Sequence, residues 1–294
     1  MAGPHTVRKT TTAGETTGGA ALYLSLLKKI ILNEIYLEDE ERIYYLRRCV
    51  EKADTFDYRV LHDIADARPE DHREFLRSRE IGQFPYRKIS NSGYQHSMIG
   101  RVRMDSLHRC LDMVCAENVP GDLMECGVWR GGAAIFMQGY LKAHGINGRR
   151  VVLADSFEGL PASGEPDDPS LTPDIFPQLA VALETVIENF RKYDLWDETV
   201  LTIKGWFSET LPSCGVERLA LLRADGDLYT STTDILENLY DKVAPGGVVI
   251  IDDFGVLPSC ARAVREFFER RGEPAPDMER IDWSGVYWRK EGAR

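Results

Sequence analysis

Apolar positions follow two rhythms along the chain, and the change between them divides it. From residue 21 they recur at helical spacing. Leu22, Leu26, Leu27, Ile30, Ile31 and Ile35 share one side, with Lys28, Lys29 and Glu34 on the other. This predicts an amphipathic helix that packs on the main domain or on a partner subunit. Residues 38–90 are highly charged and read as helical pieces, with solvated stretches at 38–42 and 68–79 and a loop at 86–94. Helical spacing returns over 98–116 through Met104, Leu107, Leu111 and Val114. Residues 1–19 are rich in Thr, Gly and Ala and bury too little apolar surface to offset their ordering entropy, which predicts a disordered tail.

From residue 118 short apolar runs alternate with helical segments. Strands are predicted over 122–126, 151–154, 199–203, 219–222 and 248–251, with closing strands at 280–281 and 286–289. Helices are predicted over 133–144, 179–193 and 260–271, and another runs through Thr233, Leu236 and Leu239. Pro245-Gly246-Gly247 reads as a turn, and 160–177 as a long acidic loop that could act as a lid. Strand–helix alternation of this kind predicts an α/β fold, a doubly wound, mostly parallel sheet with helices on both faces. The expected organisation is one domain over 20–294, a helical extension (20–117) followed by the α/β core (118–294).

Composition narrows the chemistry. The 294 residues carry a formal charge of −11, which disfavours nucleic acid as a partner, because phosphate binding needs a basic field. Six cysteines make no CxxC pair, so neither a zinc site nor a disulfide framework is expected. No apolar run approaches the roughly 18 residues of a membrane span, and the N-terminus lacks a signal-peptide core. A cytoplasmic protein is expected, with no membrane partner.

Four motifs carry candidate chemistry, all at predicted strand ends. Glu125-Cys126-Gly127-Val128-Trp129-Arg130-Gly131-Gly132 follows the first strand. Such a turn admits a ligand close to the backbone at a helix N-terminus, though a structural turn would use glycine too. Its spacing is not the dinucleotide fingerprint GxGxxG. Asp155, before Ser156, ends the second strand, where a carboxylate suits two ribose hydroxyls or caps a following turn. Gly205-Trp206-Phe207 ends the third strand, where the aromatics stack on a flat base or pack in the core. Asp225, Asp252 and Asp253 end two strands one βαβ unit apart, hence at one edge of a parallel sheet. Carboxylates gathered there repel unless a cation sits among them, so a divalent metal is expected, the alternative being that some of them cap helices or pair with Arg223 or Arg130. Asp227 reads as a helix cap or a neighbour of that site.

Glu125–Gly132, Asp155-Ser156-Phe157-Glu158-Gly159-Leu160-Pro161, the run from Leu222 to Tyr229 and the run from Pro245 to Phe254 resemble the macrocin O-methyltransferase family. The resemblance runs from about residue 21 to the end. It implies a class I methyltransferase Rossmann-like fold with a seven-stranded sheet, and methyl transfer from S-adenosylmethionine to a sugar hydroxyl of a natural product. By the resemblance, Glu125, Cys126, Gly127, Val128, Trp129, Arg130 and Gly131 hold the methionine part of the cofactor. Asp155 takes the ribose with Ser156 nearby, and Gly205, Trp206 and Phe207 approach the adenine. Asp225, Asp252 and Asp253 are similar to the family's magnesium ligands, with Asp225 also the candidate general base. The expected partner is a small sugar-bearing substrate, and the N-terminal helix adds the expectation of a homo-oligomer. A metal-dependent methyltransferase of catechols or other phenols is the nearest alternative.

Overall fold

The structure, a computed structural model, describes residues 18–82, 94–162, 164 and 166–291. Seven strands are formed: β1 (Asp122–Cys126), β2 (Val151–Asp155), β3 (Val200–Lys204), β4 (Leu219–Ala224), β5 (Val243–Ile251), β6 (Glu279–Arg280) and β7 (Val286–Arg289). They make one sheet in the order β3-β2-β1-β4-β5-β7-β6. The first five run parallel, and β7 is antiparallel to both β5 and β6. The chain builds outward from β1 through β2 and β3, then returns to the other flank of β1 with β4. That reversal opens a crevice beyond the carboxyl ends of β1 and β4, where open α/β sheets bind ligands.

Six helices precede the sheet: α1 (Gly19–Ile31), α2 (Leu37–Val50), α3 (Tyr58–His62), α4 (Ile64–Ala67), α5 (Pro69–Ile81) and α6 (Gly100–Ala116). Within the core follow α7 (Gly132–Ala143), α8 (Leu183–Lys192), α9 (Phe207–Thr210), α10 (Tyr229–Leu239) and α11 (Pro258–Arg271). Successive strand residues face opposite sides of a sheet. Leu123 and Leu221 accordingly join a core with α1, α6, α7 and α8, while Met124 and Leu222 join one with α10 and α11. Both faces are covered, so β1 and β4 are buried along their whole length. This is why they read as continuous apolar runs rather than alternating ones.

Several expectations change. In α1 the buried face is Leu24, Leu27, Lys28 and Ile31, whereas Leu22, Leu26 and Ile30 are exposed. Lys28, expected on the polar face, goes inside because Asp105 accepts from its Nζ at 2.6 Å. The stretches 38–42 and 68–79 are not simply solvated: Glu40 and Glu41 are each 2% exposed. Glu40 accepts from Asn33 at 2.8 Å and pairs with Arg79, and Glu41 pairs with His72. Complementary charges on α2 and α5 satisfy one another and so enter the interior. Pro245-Gly246-Gly247 is a bulge inside β5 rather than a turn before it. Leu219 pairs with Val243 and Leu221 with Val248, and Gly246 donates from its N–H to Lys290 O at 2.8 Å. The helix expected from 179 begins at Leu183, after a tight turn over Pro177–Leu179. The tail over 1–17 and most of the loop at 86–94 lie outside the described residues.

Candidate active site

A cavity of about 1200 Å³ opens at the carboxyl ends of the parallel strands. Two glycines set its floor. Gly127 follows β1 at φ 87°, and a Cβ there would lie 1.7 Å from the carbonyl oxygen of Asp225. The two strand ends are thus held backbone to backbone, with Asp225 N–H donating to Cys126 O at 2.8 Å. Gly132 opens α7, and a Cβ there would lie 2.4 Å from the carbonyl oxygen of His96, which accepts from Gly132 N–H at 2.9 Å. The segment 95–99 therefore closes over the start of α7. Arg130 stacks 4.4 Å over the Trp129 ring and donates to Gln95 O, while Trp129 donates to Gln178 O at 3.0 Å.

Of the cofactor residues expected from the sequence, Glu125, Gly127, Val128, Trp129, Arg130, Asp155, Ser156, Gly205, Trp206 and Phe207 line this one cavity. Cys126 and Gly131 do not. The pleat of β1 turns Cys126 into the core beside α10 and α11, and Gly131 faces Val186 and Phe190. Asp155 accepts from the N–H of Val128 at 2.6 Å and of Phe157 at 2.7 Å. Burial pushes its pKa up, and those bonds pull against it. It thus ties the glycine turn to the end of β2, the capping role, with the Ser156 hydroxyl also donating to it at 3.4 Å.

The charged floor centres on Arg223, 2% exposed in the middle of β4. It donates to Glu125 at 2.7 Å, Asp225 at 2.8 Å and Asp252 at 2.5 Å. Arg103, reaching in from α6, pairs with Asp252 and, at 3.1 Å, with Asp282. Burial alone would raise Asp252, but the two guanidinium groups outweigh it and hold the carboxyl below the usual range. Glu125 is pushed up to about 8, chiefly by burial, against the pull of Arg223. The sequence offered Arg223 as a partner for these acids, and the fold makes that pairing, whereas Arg103 was not expected. A charge inside the apolar run 219–224 was the available signal, since a buried strand admits one only if it is paired.

Asp225, Asp227 and Asp253 each present a carboxylate oxygen within 4.8 Å of the others. The Oδ2 atom of Asp253 is buried and makes no hydrogen bond among the described residues. Burial, then Asp225 and Asp252, push Asp227 up to about 7. Burial, then Asp227 and Asp225, push Asp253 well above the carboxylate range. An orphaned oxygen among three mutually repelling carboxyls is a donor set that fits a hard divalent cation. One expectation shifts here and another narrows. Asp252, expected among the ligands, has its oxygens on the two arginines. Asp227, read as either a helix cap or a neighbour of the site, makes no cap on α10 and lies within the cluster.

The sheet order, with its glycine turn after β1 and acids ending β2, β4 and β5, defines a class I methyltransferase. The solved structure of the O-methyltransferase NovP superposes with a TM-score of 0.74 at 38% identity, covering 93% of this chain and all of that one. A calicheamicin methyltransferase, CalS11, shares the fold with a TM-score of 0.51 at 17% identity, over 98% of this chain and 99% of that one. Residues 20–290 match the family model described as Macrocin-O-methyltransferase (TylF), and the chain belongs to that family. It is a methyltransferase that uses S-adenosylmethionine to modify hydroxyl groups. Demethyldecarbamoylnovobiocin O-methyltransferase of Streptomyces niveus is 40% identical over 283 residues, 95% of this chain and 97% of the relative. Mycinamicin III 3''-O-methyltransferase of Micromonospora griseorubida is 38% identical over 279 residues, 92% and 97%. The 8-demethyl-8-(2,3-dimethoxy-alpha-L-rhamnosyl)-tetracenomycin-C 4'-O-methyltransferase of Streptomyces olivaceus is 48% identical over 203 residues, 67% and 77%. No helix among the described residues is long and apolar enough to cross a membrane.

Proposed function

We propose that the protein methylates a hydroxyl of a deoxysugar carried by a natural product, with magnesium held at the acidic end of the cavity. The observation that carries this reading is the cluster of Asp225, Asp227 and Asp253 with its unpartnered Asp253 oxygen. The sugar follows from relatives, since a tetracenomycin relative of 48% identity is named for a rhamnosyl position. Asp225 and Asp253 are ligands in either arrangement. Asp227 is the third carboxylate within reach, and Asp252 becomes one only by leaving an arginine. Held by these carboxylates, magnesium would lower the pKa of an acceptor hydroxyl.

This chain's own residues do the rest. The Glu125–Gly131 turn holds the methionine end of the cofactor, Asp155 the ribose, and Trp206 with Phe207 the adenine. Asp225 takes the acceptor's proton. In the metal-free protein, burial and the neighbouring Asp252 raise its pKa above the ordinary carboxylate range. Oxygen then gains the methyl carbon as the carbon–sulfur bond breaks, and the cofactor leaves as a neutral thioether. The loop after Leu160, which lines the cavity with Leu171 and Phe176, keeps water out. A homo-oligomer built on the exposed Leu22, Leu26 and Ile30 and a cytoplasmic location belong to the same reading, the first checked by sedimentation.

The test is transfer of labelled methyl to demethyldecarbamoylnovobiocin, mycinamicin III and catechol, with magnesium and with chelator. Transfer to a glycoside that stops on chelation is expected. Turnover of catechol alone would establish the phenol reading instead, and chelator-resistant turnover would remove the metal. Loss of magnesium binding in Asp227→Asn but not Asp252→Asn names Asp227 as the third ligand, and the converse names Asp252.

A further inference from the structure

Trp283 lines the same cavity as the acids, but none of the roles above uses it. It lies half-buried in the bend between β6 and β7, next to Ser284. Ser284 donates from its hydroxyl to the backbone oxygen of Asp252 at 2.6 Å, and its own carbonyl accepts from Gly255 N–H at 2.7 Å. The indole is therefore fixed beside the acidic end of the cavity rather than beside the glycine turn. Two contacts hold it. Its Nε1 donates to Ile81 O at 2.8 Å, tying it to the end of α5. The guanidinium of Arg103 sits 5.8 Å from the ring centroid. Arg103 is itself locked by Asp252 and Asp282. The indole's one polar atom is thus spent on the backbone, which leaves the rest of the ring an apolar wall.

We infer that Trp283 is the platform on which the acceptor sugar stacks, and that it sets which ring reaches Asp225. This rests on the sugar-acceptor reading above. A pyranose presents one face of C–H groups and an edge of hydroxyls. It needs an apolar plane beside polar groups, and a deoxysugar, with a hydroxyl replaced by hydrogen, needs it more. Trp283 supplies the plane, and Asp225, Asp252 and Asp253 supply the polar edge, all bordering one cavity. A wall fixed before binding spends no side-chain entropy when the sugar arrives, which is where such a contact gains affinity. Trp283 acts on binding and position, while the proton and metal chemistry stays with the carboxylates.

The competing role is a pin that only fastens the bend to α5. The two separate in kinetics. Trp283→Leu and Trp283→Phe are made in the full chain and assayed with demethyldecarbamoylnovobiocin and mycinamicin III, with magnesium present. Under our inference, Trp283→Leu raises the KM of a glycoside about tenfold or more, with kcat within threefold. Its affinity for S-adenosylhomocysteine stays as in the parent. Both variants lose the Nε1 bond to Ile81 O and melt somewhat lower, but Trp283→Phe restores most of the KM while Trp283→Leu does not. An unchanged KM in Trp283→Leu overturns the inference. So does a KM that rises alike in both variants or only together with lost cofactor affinity, which marks a pin. If the parent protein methylates neither glycoside, the sugar-acceptor reading itself fails and this inference falls with it, a result seen before any variant is made.

Discussion

Gly127→Ala tests whether the cavity floor depends on two strand ends meeting without side chains. The added Cβ would start 1.7 Å from Asp225 O. Non-bonded atoms settle about 3.5 Å apart, so the ends of β1 and β4 must part by roughly 2 Å. Three costs follow. A side chain at φ 87° is strained by about 1–2 kcal/mol. Overpacking a closed contact costs about 1–3 kcal/mol. The 2.8 Å bond from Asp225 N–H to Cys126 O is lost, at about 1 kcal/mol. The expected destabilisation is ~3–6 kcal/mol, within the ~5–15 kcal/mol of a typical fold. Gly145→Ala is the control: φ there is 62° and nothing lies within 4 Å of the new Cβ, so it bears the strain alone. Urea denaturation of both variants gives the difference, expected at ~2–4 kcal/mol. Asp225 moves with the end of β4, and a 1 Å misplacement costs on the order of 100-fold in rate. Labelled methyl transfer at a temperature where the variant is folded should fall by that much. Equal stability of the two variants, with Gly127→Ala active within threefold of the parent, would refute the reasoning.

Other expectations follow from the same geometry. The folded pKa of Asp227, about 7, lies above its ordinary 3.8. Its contribution to stability is therefore present below the ordinary value and is lost as pH rises towards 7. Chelated protein should melt lower at pH 8 than at pH 5.5, and magnesium should raise the melting temperature more at pH 8; a magnesium shift independent of pH in scanning fluorimetry would count against the cluster as the binding site. Asp253→Asn should abolish the magnesium-induced shift and lower methyl transfer at least 100-fold, and full activity in that variant would exclude Asp253 as a ligand. Asp155→Ala should weaken binding of S-adenosylhomocysteine at least tenfold, and calorimetry showing unchanged affinity would remove its ribose role. Asp167 accepts from the hydroxyl of Thr230 at 2.8 Å and so fastens the loop after Leu160 to α10. Asp167→Ala should lower kcat/KM severalfold at unchanged melting temperature, with no change in kcat/KM ending the lid reading.

The sheet was legible because its signals are local. Continuous apolar runs closed by Gly or Asp mark strands buried on both faces, and those endings mark the binding edge. That rule alone brought Asp155, Asp225 and Asp253 forward as candidates. What escaped has a common cause, because pairing between residues far apart cannot be read from spacing. Lys28 and Glu40 were assigned to solvent by their charge, yet Asp105 and Arg79 draw them inside. The same blindness hid what sets one aspartate apart. Asp252 and Asp253 look equivalent in sequence, but Arg223 comes from the neighbouring strand and Arg103 from a helix 149 residues away. These arginines neutralise Asp252 and leave Asp225, Asp227 and Asp253 as the under-compensated charges at the edge. A buried guanidinium there does two opposed things: it lets acids crowd the floor of the cavity, and it withdraws one of them from the cation. How many acids remain free is thus decided by the arginines. Replacing Arg103 with Met should release one oxygen of Asp252 and tighten magnesium binding, measurable by calorimetry. Weaker binding would mean that Arg103 positions the ligands rather than competing for them.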